Sequence, residues 1–415
     1  MRISALLLLL AACEPAEKAV YEIGDIGRPV TTKSKDAQLW FDRGLALSFG
    51  FNHAEAVHCF EQAAKADPDC AMDDWGKAYA LGPNYNDPLP MPEANEAAHA
   101  AITRARTKAA SPVEKALIEA LAARCAWPMP EDRAPLDRAY AEAMRKVHKR
   151  FPDDADVAAL TAEAVMQLRP WGLWTPEGKM APETPEVRAI LEPALQRWPN
   201  HVALCHLYIH AMEAGPEVRQ ALPAARALEK SAAGLGHLVH MPSHIYVWAG
   251  LYDDVIRTNI DACRIDEAFV ALRGRANFFT AYRIHNLHFV AYGGMWEGRR
   301  ALALQYARKI SGEIPPDLMK AIPDIFDVFV ATPYHVMVRF GMWKEILAEK
   351  EPPAELLATR AVWRYARGVA LAALGRVAEA EKEQALFRTA RDAVPESRLL
   401  FQNPVAKILG VADVF

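Results

Sequence analysis

The sequence has no long basic run, and its 48 Lys and Arg are outnumbered by 52 Asp and Glu, for a net charge of −4. A nucleic-acid partner is therefore not expected, because neutralising a phosphate backbone needs a concentrated positive field. Cysteine is sparse. Cys13, Cys59, Cys70, Cys125, Cys205 and Cys263 are widely spread and form no Cys-x-x-Cys pair. That excludes a zinc knuckle and a disulfide framework; Cys59, Cys205 and Cys263 read as small apolar groups inside helices. No apolar run after the first residues reaches a membrane-spanning length, and sustained strand-type alternation is missing, so the chain reads as all-α. There is no His-Glu-x-x-His, no Gly-x-Ser-x-Gly, no Walker-type glycine loop and no dinucleotide fingerprint. Acidic residues never take the spacing of a calcium loop.

What is present begins with an export signal. Arg2 supplies a positive charge and Ile3 to Leu10 is largely apolar, too short to span a bilayer. Leu10-Ala11-Ala12-Cys13 resembles a bacterial lipobox. The resemblance implies a signal peptide over 1–12, a lipidated Cys13, and a chain exported to the periplasmic face of a bacterial membrane. The membrane would then be met only through that anchor. Residues 13–34 are polar and punctuated by Gly and Pro, which suits a flexible tether.

From Asp36 onward the apolar period is that of helices. Trp40, Gly44, Ala56, Phe60, Ala63 and Asp67-Pro68 fall at offsets that resemble the tetratricopeptide repeat, a helix-turn-helix unit of about 34 residues. Gly250-Leu251-Tyr252, Gly294-Met295-Trp296, Gly341-Met342-Trp343 and Gly375-Arg376-Val377 resemble the turns inside later units. The resemblance implies a right-handed superhelical solenoid, all-α, running as a single array over 35–415. Two loops interrupt it: Gly82-Pro83-Asn84-Tyr85-Asn86-Asp87-Pro88 and Arg169-Pro170-Trp171-Gly172-Leu173-Trp174. Insertions in such arrays tend to gather on one face, although both loops can equally be read as helix caps.

Five of the 13 histidines fall between residues 206 and 244. His244, His288 and His335 each lie six residues before a turn glycine, at Gly250, Gly294 and Gly341. His240 precedes His244 by four residues, His285 precedes His288 by three, and His206 and His210 repeat the four-residue step. Such spacings put side chains on one helical stripe. The tetratricopeptide resemblance implies that this stripe lines the concave groove. His206, His210, His240, His244, His285, His288 and His335 would then share one surface, with His237 beside them. Pro242 would fall mid-helix by the turn ruler. The simpler reading starts a helix at Pro242 and leaves 237–241 irregular.

Neutral imidazole is the commonest protein ligand for transition metals. A pair at i and i+4, with Cβ atoms about 5–6 Å apart, can reach one ion. One ion cannot engage all these rings, so two sites, or one site with supporting histidines, are expected. Glu213, three residues past His210 on the same stripe, can ligate, orient a histidine or act as a base. Copper or zinc is favoured, with iron as an option; Met241 would favour copper if it reached the ion. The expectation is an exported metalloprotein, an oxidoreductase or hydrolase in which the metal supplies the chemistry. Two alternatives stay open: a metal carrier without turnover, and a scaffold whose groove takes a small molecule, peptide or protein partner. Asn84, Asn86, Trp171, Trp174 and Tyr246 are candidates to flank the site. His53 reads as a packing residue that can also reach a site if the superhelix curls round, His201 as structural, and His58, His99 and His148 as solvent-exposed.

Overall fold

The computed structural model describes residues 24, 26–88, 92–232, 234–277, 279–400 and 403–413. The expected signal peptide over 1–12, the expected lipidation site Cys13 and most of the first half of the expected tether lie outside the described residues. Among the described residues no helix is long and apolar enough to cross a membrane. The chain is all-α. Its described β-structure is one antiparallel pair, Leu399–Leu400 with Asn403–Pro404, and a single bridge between Trp174 and Met180.

The chain divides into two compact units, Met1–Ala249 and Gly250–Phe415. The first holds α1 (Lys35–Phe49), α2 (His53–Ala66), α3 (Ala71–Ala80), α4 (Pro92–Ala105), α5 (Pro112–Ala122) and α6 (Ala134–Arg150). It continues with α7 (Ala155–Met166), α8 (Thr184–Arg197), α9 (Val202–Met212), α10 (Leu222–Ser231), α11 (Gly236–His240) and α12 (Pro242–Ala249). The second unit opens on α13 (Tyr252–Arg273), α14 (Phe279–Trp296), α15 (Arg300–Glu313), α16 (Pro316–Ala321) and α17 (Pro323–Val330). It closes with α18 (Thr332–Arg339), α19 (Trp343–Ala348), α20 (Leu357–Ala373), α21 (Val377–Asp392) and α22 (Val405–Ala412). In both units most successive helices pack on one another as helical hairpins, some joined by short turns and others by longer loops, such as the one between α7 and α8.

The first hairpin shows why the sequence folds this way. Ala56, Phe60 and Ala63 form the buried face of α2. Gly44 of α1 is small because a Cβ there would stand 2.7 Å from the Phe60 ring. Gly76 of α3 meets the same ring from the other side, at 2.3 Å for a built Cβ. Phe60 is thus wedged between two glycine gaps, which lets three helices approach closely.

Three expectations need correction. The stretch 26–34 is a strap, not a free tether. Arg28 is 8 % exposed, and its guanidinium donates to both Asp154 oxygens at 2.8 and 2.7 Å and to Asp156 at 2.9 Å. Thr31 donates from its backbone and hydroxyl to Glu114 at 2.6 and 2.5 Å, and Glu114 also closes a capping box with Ser111 at the start of α5. Gly294 is not a turn residue: it lies inside α14, against Ala303 of α15, with a built Cβ 3.1 Å away. The left-handed turn residue is Gly298, with φ +70°. The four-residue offset is about one helical turn, so His288 keeps its face. Finally, Pro242 does start a helix, but 236–240 forms a helical turn of its own, α11, whose His237 carbonyl accepts from the Met241 N–H at 3.0 Å.

Candidate metal centre

The site is built on α9. This helix is buried from Val202 to Met212, so its histidines are enclosed by the first unit rather than left in an open groove. His201 begins it, accepting from the Leu204 N–H at 3.4 Å and meeting Asp156 at 3.1 Å through Nε2. His206, His210 and Glu213 follow at steps of four and three, one stripe of one helix. The short α11 and the start of α12 bring His237, His240 and His244 against that stripe.

Three imidazoles converge. One nitrogen from each of His206, His210 and His237 lies within 4.8 Å of the others. The hydrogen bonds around them settle which nitrogen of two rings faces inward. His206 Nδ1 stands 2.7 Å from the Phe49 carbonyl, which can only accept, so Nδ1 carries the hydrogen and Nε2 keeps its lone pair. His210 Nδ1 stands 2.7 Å from Glu213 Oε1, and its Nε2 is buried with no hydrogen-bond partner. His206 Nε2 and His237 Nε2 are 3.2 Å apart. Burial holds the His206 and His237 rings well below the usual histidine pKa, and the neighbouring rings, His210 for the one and His206 for the other, add to the shift. Both stay neutral, the ligand form.

Glu213 joins this trio to a second group. Its Oε2 stands 2.7 Å from His244 Nδ1, and His244 Nε2 is 2.8 Å from His240 Nε2. Burial by itself would raise the Glu213 carboxyl; the His244 and His210 rings overrule it and hold the group well below the usual carboxylate range.

Aromatic rings close the trio. Phe51 lies 4.6 Å from the His206 ring and stacks on His210 and His237 at 5.7 and 5.6 Å. Tyr85 and Trp171 meet His210 at 5.3 and 5.6 Å. Phe51 and Trp171 have φ of +55° and +58°, and among the described residues they are the non-glycine positions in that region. Strained backbone of this kind persists where surrounding structure enforces it, often at functional sites. Both strained residues pack on His210.

Of the expected flanking residues, Trp171 is in place. Trp174 instead donates its indole N–H to the Ala211 carbonyl at 2.7 Å, and Tyr246 donates to Glu229. Asn84 is buried and folds its own loop, accepting from the N–H groups of Asn86 and Asp87 at 2.9 and 3.0 Å. Phe51 and Tyr85 were missed as site residues; no side-chain periodicity marks them, since they reach His210 from loops distant in sequence. Met241 is buried at the junction of α11 and α12, while the three gathered donors are imidazole nitrogens. His53 lies against Phe51 and Tyr79 with its Nε2 buried and unpartnered, and burial, reinforced by Arg124, pulls its pKa down to about 4. His58, His99 and His148 are half-buried rather than exposed; His99 Nδ1, for one, is 2.7 Å from the Cys125 carbonyl.

His285, His288 and His335 belong to the second unit. His288 packs edge-on against Phe329 at 5.2 Å, and burial, with His335 alongside, takes its pKa to about 4. His285 meets Phe289 at 4.7 Å.

Fold and site together define a helical-repeat protein with a buried histidine cluster. No protein-family model matches the chain, and no curated protein matches it. Among solved structures, it is similar at 15% identity to the tetratricopeptide domain of P58(IPK), over 91% of this chain and 98% of that one, with a TM-score of 0.21. It is similar at 13% identity to the anaphase-promoting-complex hetero-tetramer Cut9-Hcn1, over 97% of this chain and 81% of that one, with a TM-score of 0.26.

Proposed function

We propose that the first unit binds a transition-metal ion through His206, His210 and His237, and that this ion is the protein's functional group. The 3.2 Å separation of His206 Nε2 and His237 Nε2 carries the reading. Two nitrogens at about 2.0–2.1 Å from one tetrahedral ion stand about 3.3 Å apart, so this edge of the trio already has the span of a coordination edge. The Phe49 carbonyl and the Glu213 carboxylate act as outer partners. They fix ring orientation and tautomer, as oxygen acceptors behind metal-bound histidines do. An all-nitrogen set favours zinc or copper over magnesium or calcium, with iron next. Three protein ligands leave a fourth position for water or substrate. The ion would then act as a Lewis acid, an activator of bound water or a redox centre, in a protein expected to be exported.

The test is elemental analysis of the full chain purified without a histidine tag, followed by rebinding of zinc and copper to stripped protein. Retained metal that is lost in His206→Ala and in His237→Ala, with helix content unchanged by circular dichroism, is the expected result. No retained metal and no tight rebinding would sink the proposal and leave a helical scaffold.

A further inference from the structure

The second histidine group makes a case of its own, which rests on the metal reading above. We infer that His240 and His244 hold a second, outer metal ion, and that the Glu213 carboxylate couples it to the inner ion of His206, His210 and His237.

The two pairings share a construction. His206 and His237 face each other through Nε2 atoms at 3.2 Å, and His240 and His244 through Nε2 atoms at 2.8 Å. Two neutral imidazole nitrogens this close share one hydrogen, which lies where a metal ion can replace it. In the outer pair, His244 Nδ1 stands 2.7 Å from Glu213 Oε2, and the carboxylate charge favours the tautomer with its hydrogen on Nδ1 and the lone pair on Nε2. His240 then supplies the hydrogen between the rings. Its shift to the other ring nitrogen frees His240 Nε2 to ligate, with no net change in protons.

Glu213 ties the loci together because each oxygen serves one of them. Oε1 accepts from His210 Nδ1 and aims His210 Nε2 at the inner locus; Oε2 lies 2.7 Å from His244 Nδ1 at the outer locus, where it places its charge beside that ring. A single carboxylate charge is shared between two cations, so the second ion to enter meets less compensation than the first. The loci also differ in access. His206, His210 and His237 are buried, whereas His244 keeps 19% of its side chain exposed. Three buried imidazoles enclose the inner ion, whereas the partly exposed His244 leaves the outer ion open to water or an incoming donor atom. The inner ion is the slow, tightly held one; the outer ion is the exchangeable one.

Glu213→Gln is a sharp probe. A glutamine side chain offers one acceptor oxygen and one donor NH2, so it can receive a hydrogen from only one of the two Nδ1 atoms. Stripped, untagged full-length protein is titrated with zinc by calorimetry and with cobalt(II) by visible absorption, and zinc release to a chelator is timed. Wild type is expected to take two equivalents and to release them in two phases. His240→Ala, His244→Ala at the partly exposed ring, and Glu213→Gln are each expected to take one. Two equivalents retained in Glu213→Gln would overturn the coupling. A single wild-type equivalent that survives His240→Ala and disappears in His206→Ala would overturn the outer ion and leave the inner one standing. No binding by wild type would remove both.

Discussion

Asp266 shows how far one residue can depart from its ordinary chemistry. It is fully buried in α13, and burial pushes its carboxyl up to about 8. Arg283 and the Asn286 amide, which donates to Oδ2 at 2.8 Å, oppose that rise, while Glu267 adds to it. In an unfolded chain the same group titrates near about 3.9. Between the two values the folded protein carries a proton that the unfolded chain has released. This group therefore makes stability fall as pH climbs from about 4 to about 8, by at most about 1.4 kcal/mol per pH unit. Asp266→Asn should flatten that part of the slope, so that urea midpoints of the variant at about pH 5 and about pH 8 lie closer together than those of wild type. Equal slopes for both proteins would show that the carboxyl ionises normally. None of this was legible in the sequence, where Asp266 reads as one acidic residue among many. The stripe of His206, His210 and Glu213 was legible, because spacing along one helix fixes direction. Trp171 was legible as a flanking candidate from its loop; Phe51 was not, and the positive φ of both is imposed by packing from distant segments.

At the scale of elements, the strap over 26–34 was read as a tether from its composition, and composition hides the reason it is fixed. One residue, Arg28, reaches two carboxylates that do other work. Asp154 caps α7, accepting from the Val157 N–H at 3.1 Å, and Asp156 pairs with His201 at the start of α9. The strap is thereby linked to the helix that carries the histidine stripe. Removing one member of a mostly buried ion pair strands its partners, at a cost on the order of 3 kcal/mol. Arg28→Ala should lower the urea midpoint and open the strap to limited proteolysis between 26 and 34. Cleavage no faster than in wild type would show that Thr31 and Glu114 hold it unaided. Turn positions were readable where a glycine must adopt φ > 0, as at Gly250, Gly341 and Gly375. The ruler slipped at Gly294 because a glycine needed for close helix approach looks the same in sequence as one needed for a turn. The helix at α11 escaped notice because Pro242 marks only where the next helix begins.

At the scale of the molecule, each compact unit has its own core. In the second unit one buried cluster runs from Ala331 through Trp363 to Leu409. In the first, Phe41, Phe60 and Trp75 are among the buried aromatics. The helix-hairpin character of both units was visible in periodicity and turn spacing; the division at Ala249 was not, because the repeat pattern crosses it unchanged. The inner histidines, the outer pair and Glu213 all lie on the first-unit side. A ligand that binds only the folded state of one unit lowers the population of that unit's open forms, by about 2.7 kcal/mol at a free concentration one hundred times its Kd. Amide exchange reports such openings segment by segment. Saturating zinc should therefore slow exchange in α9, α11 and α12 by up to about a hundredfold, and leave α20 and α21 at their metal-free rates. His206→Ala should abolish the slowing without altering the rates in α20 and α21. Equal protection across both units would mean that zinc acts on the whole chain rather than at the histidine cluster, and the assignment of the metal to the first unit would fail.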